Sequence, residues 1–156
     1  MSKVATGWTD CTGCNPKFVQ PTVLRQRYNL PAQLTSVSPN NSVYVAEFQG
    51  QYYEDSDIAS FSKACAITPP IKVARNVGKN EESAGVESEL DVEYIGALTS
   101  PIPLTVYYQE EYSLLDWLKT VGSTENPGYV HSVSYGNDER QQGMHHVEMC
   151  VIKFNE

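Results

Sequence analysis

The chain has 156 residues, of which 40% are hydrophobic and 19% are charged, and its formal net charge at pH 7 is −8. This length is sufficient for one domain with a sizeable core. The acidic balance argues against nucleic acid as a partner, and no apolar run approaches the roughly 20 residues that a membrane span needs.

Segments with strand and helix patterns alternate along the chain. Runs rich in β-branched and aromatic residues predict strands at 43–48, 71–77, 104–108 and 129–135. Helical patterns and start signals predict helices at 21–28 with Thr22 as cap, from Asp55 or Ser56 to about 65, from about Gly85 to Leu98, and at 113–119. Met144, Val147, Val151 and Phe154 predict a further helix in the tail. The alternation predicts an α/β fold with a parallel sheet covered on both faces.

The two ends of the chain differ in pattern. Residues 1–20 predict an irregular lead-in, and residues 21–156 predict the folded portion. The first ten residues are polar and contain no h-region, so we expect no signal peptide in this sequence.

Four cysteines and one glycosylation sequon leave several readings open. Cys11 and Cys14 have the spacing of a zinc ribbon, but no second such pair completes four ligands. A redox pair, a short disulfide and free thiols are the alternatives, and Cys65 and Cys150 have no assigned partner. Asn40 is a glycosylation site only if the chain enters the secretory route.

The helix near residue 90 carries the candidate chemistry. Val86, Leu90 and Tyr94 recur every four residues and predict an apolar stripe. Glu87 and Asp91 have the same spacing, so they project from one helix face about 5–6 Å apart at Cβ. Two such carboxylates repel unless they share a proton, and a shared proton suits acid–base catalysis.

These carboxylates have two other interpretations. Glu87 and Asp91 can be part of a solvated acidic face that continues through Glu89 and Glu93. A glycosidase pair is disfavoured because carboxylates on adjacent turns leave no room for a sugar between them.

Four stretches, in order, resemble one family of enzymes. Along the chain they are Pro-Thr-Val-Leu-Arg-Gln-Arg-Tyr-Asn-Leu at 21–30, Glu-Phe-Gln-Gly-Gln-Tyr-Tyr at 47–53 with Asp-Ser-Asp at 55–57, Gly-Val-Glu-Ser-Glu-Leu-Asp-Val-Glu-Tyr at 85–94, and Val-His-Ser-Val-Ser-Tyr-Gly at 130–136. Together they resemble the sedolisin family of serine-carboxyl peptidases, in its tripeptidyl peptidase I branch. The resemblance covers roughly residues 11 to 142.

The resemblance implies a subtilisin-like fold and an acid peptidase. In the family's mechanism a serine attacks the peptide carbonyl, a glutamate accepts the serine proton, and an aspartate orients that glutamate. By motif match, Glu87 is the base and Asp91 the orienting residue, while Ser134, Tyr135 and Gly136 line the substrate. The substrates implied are peptides and protein amino termini, cleaved to tripeptides or internally. Lysosomal or secreted location is also implied, and residues 1–20 would end a propeptide linker.

Other parts of the family pattern are missing from this sequence. Neither Ser-Gly-Asp-Ser-Gly nor the Gly-Thr-Ser nucleophile motif follows Tyr135. The family's calcium site belongs to the carboxy-terminal region, so we expect no cofactor and no metal in this chain. The sequence therefore predicts an inactive amino-terminal fragment that self-associates through an exposed sheet edge. A non-catalytic peptide-binding module with half of the fold is the alternative.

Overall fold

The structure is a computed structural model, and it describes residues 19–32, 34–35, 40–81, 83–143, 145 and 148–150. The strands are β1 (Val43–Phe48), β2 (Val73–Val77), β3 (Leu104–Gln109) and β4 (Val130–Val133). The helices are α1 (Pro21–Arg27), α2 (Asp55–Ala64), α3 (Val86–Thr99), α4 (Leu114–Ser123) and α5 (Glu139–Gln142).

Within the described residues, four strands form one parallel sheet in the order β2-β3-β1-β4. β1 lies at the centre and pairs with β3 on one side and with β4 on the other. All six residues of β1 are buried, as expected for a strand covered on both faces. Because the strands are parallel, their carboxyl ends meet at one edge of the sheet, and a ligand is expected there.

Helices cover both faces of the sheet, so the predicted α/β class and two-sided arrangement are confirmed. One core places Val45 and Val106 of the sheet against Ile58 of α2 and Val92 of α3. The other core, on the opposite face, packs aromatic and aliphatic side chains, which are Tyr44, Ala46, Phe48, Tyr107, Trp117 and Leu118. The alternation of β1 residues between the two cores follows from the two-residue period of a strand.

Most predicted elements exist, and their ends differ in specific ways. β1 has the predicted bounds, but β4 pairs only over Val130–Val133, which is shorter than the predicted 129–135. The predicted cap of α1 is wrong, because Gln20 is the N-cap and Pro21 occupies the first helical position. Proline favours that position since its missing N–H needs no partner there.

The predicted apolar stripe of α3 is also wrong. Val86 is 86% exposed and Leu90 is 49% exposed. The buried face of α3 instead carries Val92 together with small or polar residues, which are Ser88, Asp91, Gly96 and Ala97. Small residues let the helix approach the sheet closely, and at Gly96 an added Cβ would lie 2.5 Å from Ile71 Cγ2.

Several expectations lie outside the described residues. These are the lead-in before Val19, the Cys11 and Cys14 pair, and the four apolar tail positions from Met144 to Phe154. Cys65 and Cys150 are half-buried free thiols. In the part of the chain that the structure describes, no helix has the length and apolar character needed to cross a bilayer.

Candidate active site

The start of α3 is tied to the segment that follows β1. The Gly85 N–H donates to the Tyr52 carbonyl at 2.8 Å, and Ala84 forms a parallel bridge with Tyr52. The Glu87 N–H donates to Gln51 Oε1 at 3.1 Å. These bonds extend the line of β1 and place the first turn of α3 at the carboxyl edge of the sheet.

Glycine at position 85 is required by this close approach. A Cβ at Gly85 would lie 2.7 Å from the Gln51 Cα and still closer to the Gln51 amide oxygen. Backbone cannot move out of the way as a flexible side chain can. Gly85 therefore sets the separation between α3 and the end of β1, and with it the position of Glu87.

Asp91 lies one turn further along α3 and is 9% exposed. The Ser134 hydroxyl donates to Asp91 Oδ2 at 2.5 Å. Ser134 follows the last residue of β4, so this hydrogen bond joins α3 to the carboxyl end of the edge strand. Glu87 and Asp91 lie on one helix with four-residue spacing, which places them on the same face.

A third carboxyl group is buried beside these two. Glu47 in β1 is fully buried, and its Oε2 accepts a 2.9 Å hydrogen bond from the Tyr135 hydroxyl. Its other oxygen, Oε1, is buried without a hydrogen-bond partner among the described residues. An ionised carboxylate in this position would be costly, because burial removes the water that stabilises charge.

Burial raises the pKa of Glu47 to about 8. The Tyr135 hydrogen bond opposes this rise, and the charges of Asp91 and Glu87 add to it. Glu47 is therefore protonated in acid and at neutral pH. The effect of both α3 carboxylates on Glu47 identifies the three groups as one electrostatic unit, which we call the carboxyl cluster (Glu47, Glu87 and Asp91).

Tyr135 and Gly136 continue from Ser134 along the rim of the cluster. The Tyr135 ring packs edge-on against Phe48, with ring centroids 4.9 Å apart, while its hydroxyl reaches Glu47. Gly136 is exposed, and a Cβ there would meet nothing within 4 Å. Open space beside Gly136 leaves room for an extended chain next to the cluster.

Comparison with known proteins matches this chain to one group of enzymes. It is 39% identical to tripeptidyl-peptidase 1 of Bos taurus over 130 residues, which are 78% of this chain and 23% of the relative. It is 38% identical to the Mus musculus protein over 87% of this chain and 26% of the relative, and 37% identical to the Homo sapiens protein over 78% and 23%. The chain belongs to the sedolisin family. It spans about a quarter of the length of these curated relatives, and no family model matches it.

The sequence resemblance to the sedolisin family did not identify Glu47 as a site residue of this chain. A signal for it was present, because Glu47 is the one charged residue in the buried run Val-Tyr-Val-Ala-Glu-Phe. A carboxyl in such a run must be neutral or paired, and shifted carboxyl pKa values are typical of functional sites. The partner, Tyr135, could not be read from sequence since it lies 88 residues away.

A second set of carboxyl groups joins α3 to α2. Glu89 Oε1 accepts a 2.5 Å hydrogen bond from the Glu54 N–H. Burial, together with the charges of Glu89 and Asp57, raises the pKa of Glu93 to about 7. These groups lie on another side of α3 from the carboxyl cluster. The Glu89 hydrogen bond attaches α3 to the start of α2.

Among the residues that the structure describes, no three His, Cys, Asp or Glu side chains lie together in a way that would hold a metal ion. The carboxyl cluster offers carboxyl groups that can transfer protons and form hydrogen bonds.

Proposed function

We propose that this chain supplies the carboxyl half, meaning the acidic side chains but not the serine, of a serine-carboxyl peptidase site that acts on peptides in acid. The observation that carries the proposal is the carboxyl cluster at the carboxyl edge of the sheet, beside residues 134–136. The relatives' name, tripeptidyl-peptidase 1, supports peptides as the substrate class. Residues 21–156 are then the amino-terminal portion of the peptidase domain, and residues 1–20 are a linker.

Glu87 is the proposed general base. It is half-exposed on the first turn of α3, so a hydroxyl arriving at the sheet edge can reach it. Asp91, buried one turn below, is the proposed orienting group. The nucleophilic serine and the oxyanion aspartate belong to motifs that this sequence does not contain.

Glu47 limits the negative charge at such a site. Three ionised carboxylates around one buried site would repel one another strongly. With the pKa of Glu47 near 8, that carboxyl stays neutral in acid and at neutral pH, so it adds no negative charge beside Glu87 and Asp91. A carboxyl group as general base suits acid because an unperturbed carboxyl pKa lies near 4, whereas an ordinary catalytic histidine would be charged and inactive as a base there.

Residues 134–136 are the proposed seat for the substrate backbone. In the described sheet β4 is an edge strand, and Ser134 to Gly136 continue beyond its last paired residue. An extended peptide can add to such an edge through main-chain hydrogen bonds. Seated there, the scissile bond would pass over Asp91 and Glu87. Location in the lysosome or outside the cell is proposed on the family relationship alone.

A fluorogenic tripeptide amide tests whether the chain needs a nucleophile from elsewhere. We expect no turnover by the isolated chain at pH 4 or at pH 7, since no acyl-enzyme can form. Glu87→Ala is the control variant. Acid-dependent turnover that disappears in Glu87→Ala would contradict the proposal, because one of the serines present, Ser83, Ser88 or Ser134, would then be the nucleophile.

A non-catalytic peptide-binding module remains the second candidate. The position of β4 at the edge of the described sheet favours it, because an extended peptide can pair with such an edge. Binding of the tripeptide amide distinguishes the two only together with the activity of a completed domain, because both candidates bind peptide. If a completed domain binds peptide and never cleaves it, the module is the better description.

A further inference from the structure

Ser134 connects the end of β4 to Asp91 of α3. Its backbone lies one residue beyond Val133, where the pairing of β4 with β1 ends. Its side chain donates a 2.5 Å hydrogen bond to Asp91, 43 residues earlier in the chain. Ser134 is exposed while Asp91 is buried, so the contact links a solvent-facing strand end to the interior of the site.

The backbone of Ser134 is not fixed by the sheet. The register of β4 with β1 runs from Val43 and Val130 to Ala46 and Val133, and no ladder pair includes Ser134. The direction of a short side chain depends on its backbone dihedrals, because allowed rotamers change with φ and ψ. Any ligand that fixes the backbone at Ser134 therefore also restricts the direction of its hydroxyl.

Asp91 receives a hydrogen bond from this hydroxyl. Within the described residues, Ser134 supplies the side-chain hydrogen bond that Asp91 Oδ2 receives. Hydrogen bonds are directional, so this bond favours one orientation of the Asp91 side chain. A change in the Ser134 hydroxyl is then transmitted to the carboxylate that lies one turn from Glu87.

We propose that Ser134 is a positioning residue that couples the seating of a peptide on residues 134–136 to the orientation of Asp91. This inference rests on the proposed function, since it takes the peptide seat from there. Without a peptide the Ser134 hydroxyl already contacts Asp91, but the backbone that carries it lies outside the ladder of β4 with β1. A peptide that pairs with the strand end orders Ser134, and the ordered hydroxyl fixes Asp91.

Carbon-13 NMR of the Asp91 side-chain carboxyl, with trialanine amide as the probe, tests the coupling. We expect the peptide to shift the backbone amides of residues 134–136 and the Asp91 carboxyl signal in the wild-type chain. In Ser134→Ala the amides should still shift, while the Asp91 signal loses its response. Ser134→Thr retains a hydroxyl and should restore that response. Ser132→Ala, on the same strand, is the matched control and should behave as wild type.

The outcomes separate the two claims. If the amides shift and the Asp91 signal responds equally in wild type and Ser134→Ala, the coupling is wrong while the peptide seat stands. If the peptide shifts no amide of residues 134–136, the peptide seat is wrong and the coupling is overturned with it. Dispersed amide spectra show in each case that the variant is folded, and rescue by Ser134→Thr excludes a merely structural loss.

Discussion

The Tyr135 hydroxyl donates a 2.9 Å hydrogen bond to Glu47 Oε2 and so closes the carboxyl cluster from the side of the edge strand. This bond lowers the pKa of Glu47, yet burial prevails and the pKa remains near 8. Phe48 packs against the Tyr135 ring, which holds the hydroxyl in place. The rim that would seat a substrate and the buried carboxyl beneath it are therefore one structural unit.

Replacing Tyr135 with Phe should destabilise the fold. The variant retains the ring and removes the donor, leaving both Glu47 oxygens without a protein hydrogen bond among the described residues. A buried polar group without a partner costs about 1–3 kcal/mol of unfolding free energy. Urea denaturation measures the change, and Tyr129→Phe is the control because Tyr129 is 85% exposed. Equal stability of the two variants would show that the Tyr135 bond contributes nothing.

Glu47→Gln should flatten the dependence of stability on pH. The folded chain holds the Glu47 proton up to about pH 8, while an unfolded chain releases it near 4.5, so unfolding free energy falls as pH rises between these values. One proton contributes a slope of about 1.4 kcal/mol per pH unit. Glu93 adds to the slope up to about pH 7. Glutamine stays neutral and can still accept from Tyr135.

Thermal unfolding across this pH range makes the measurement. We expect Glu47→Gln to show the smaller slope and to exceed the wild-type melting temperature near pH 7.5. Glu111→Gln, at an exposed position outside both carboxyl groupings, should reproduce the wild-type slope. If Glu47→Gln and wild type have the same slope, Glu47 is not protonated in the folded chain.

Sequence predicted the parts of this fold whose pattern is local. β1 is a run of apolar residues interrupted by one carboxyl, and its bounds are as expected. α3 was predicted at nearly its full length, but its buried face was not. Periodicity selected Val86 and Leu90, whereas tertiary packing favours Gly96 and Ala97, which let α3 approach the sheet. Helical period alone cannot rank two faces when one carries small residues.

The site was predicted in part for a similar reason. Spacing placed Glu87 and Asp91 on one face of α3, and a short-range pattern is sufficient for that. Ser134 reaches Asp91 across 43 residues, and Tyr135 reaches Glu47 across 88. Such contacts depend on the strand order β2-β3-β1-β4, which sequence patterning does not specify.

Gly85→Ala should displace the start of α3. The new Cβ would lie 2.7 Å from the Gln51 Cα, so the helix must move away and weaken the hydrogen bond between the Glu87 N–H and Gln51. We expect a loss of about 1–3 kcal/mol in unfolding free energy, which is typical of overpacking. Gly136→Ala, where a Cβ meets nothing within 4 Å, is the control for a glycine near the site. No loss in Gly85→Ala would show that the approach of α3 to Gln51 is not tight.

Exposed apolar side chains should make the isolated chain associate with itself or bind a hydrophobic dye. Val86 and Leu90 on α3, and Tyr129 and Val130 at the start of β4, are all substantially exposed. Replacing Val86 and Leu90 together with Ser should reduce dye binding and leave unfolding free energy within about 0.5 kcal/mol. A wild-type chain that sediments as a monomer and binds no dye would contradict this prediction.

Val92→Ala is the matched comparison from the buried face of α3. Val92 is fully buried against the sheet core, so its truncation should cost about 2 kcal/mol in unfolding free energy through lost burial and a cavity. A smaller loss than in the doubly substituted Val86 and Leu90 variant would mean that the two faces of α3 have been assigned the wrong way round.

Peptidase activity of a completed domain tests the central claim most directly. This chain would replace the matched segment of the Bos taurus tripeptidyl-peptidase 1, and turnover of a fluorogenic tripeptide amide would be measured at pH 4 and pH 7. We expect acid-favoured turnover that falls at least about 10²-fold in Glu87→Gln, because a general base typically contributes that much. Glu111→Gln should leave the rate unchanged. A folded chimera that retains full activity in Glu87→Gln, or that never cleaves the substrate, would contradict the assignment of this chain as the carboxyl half of a peptidase site.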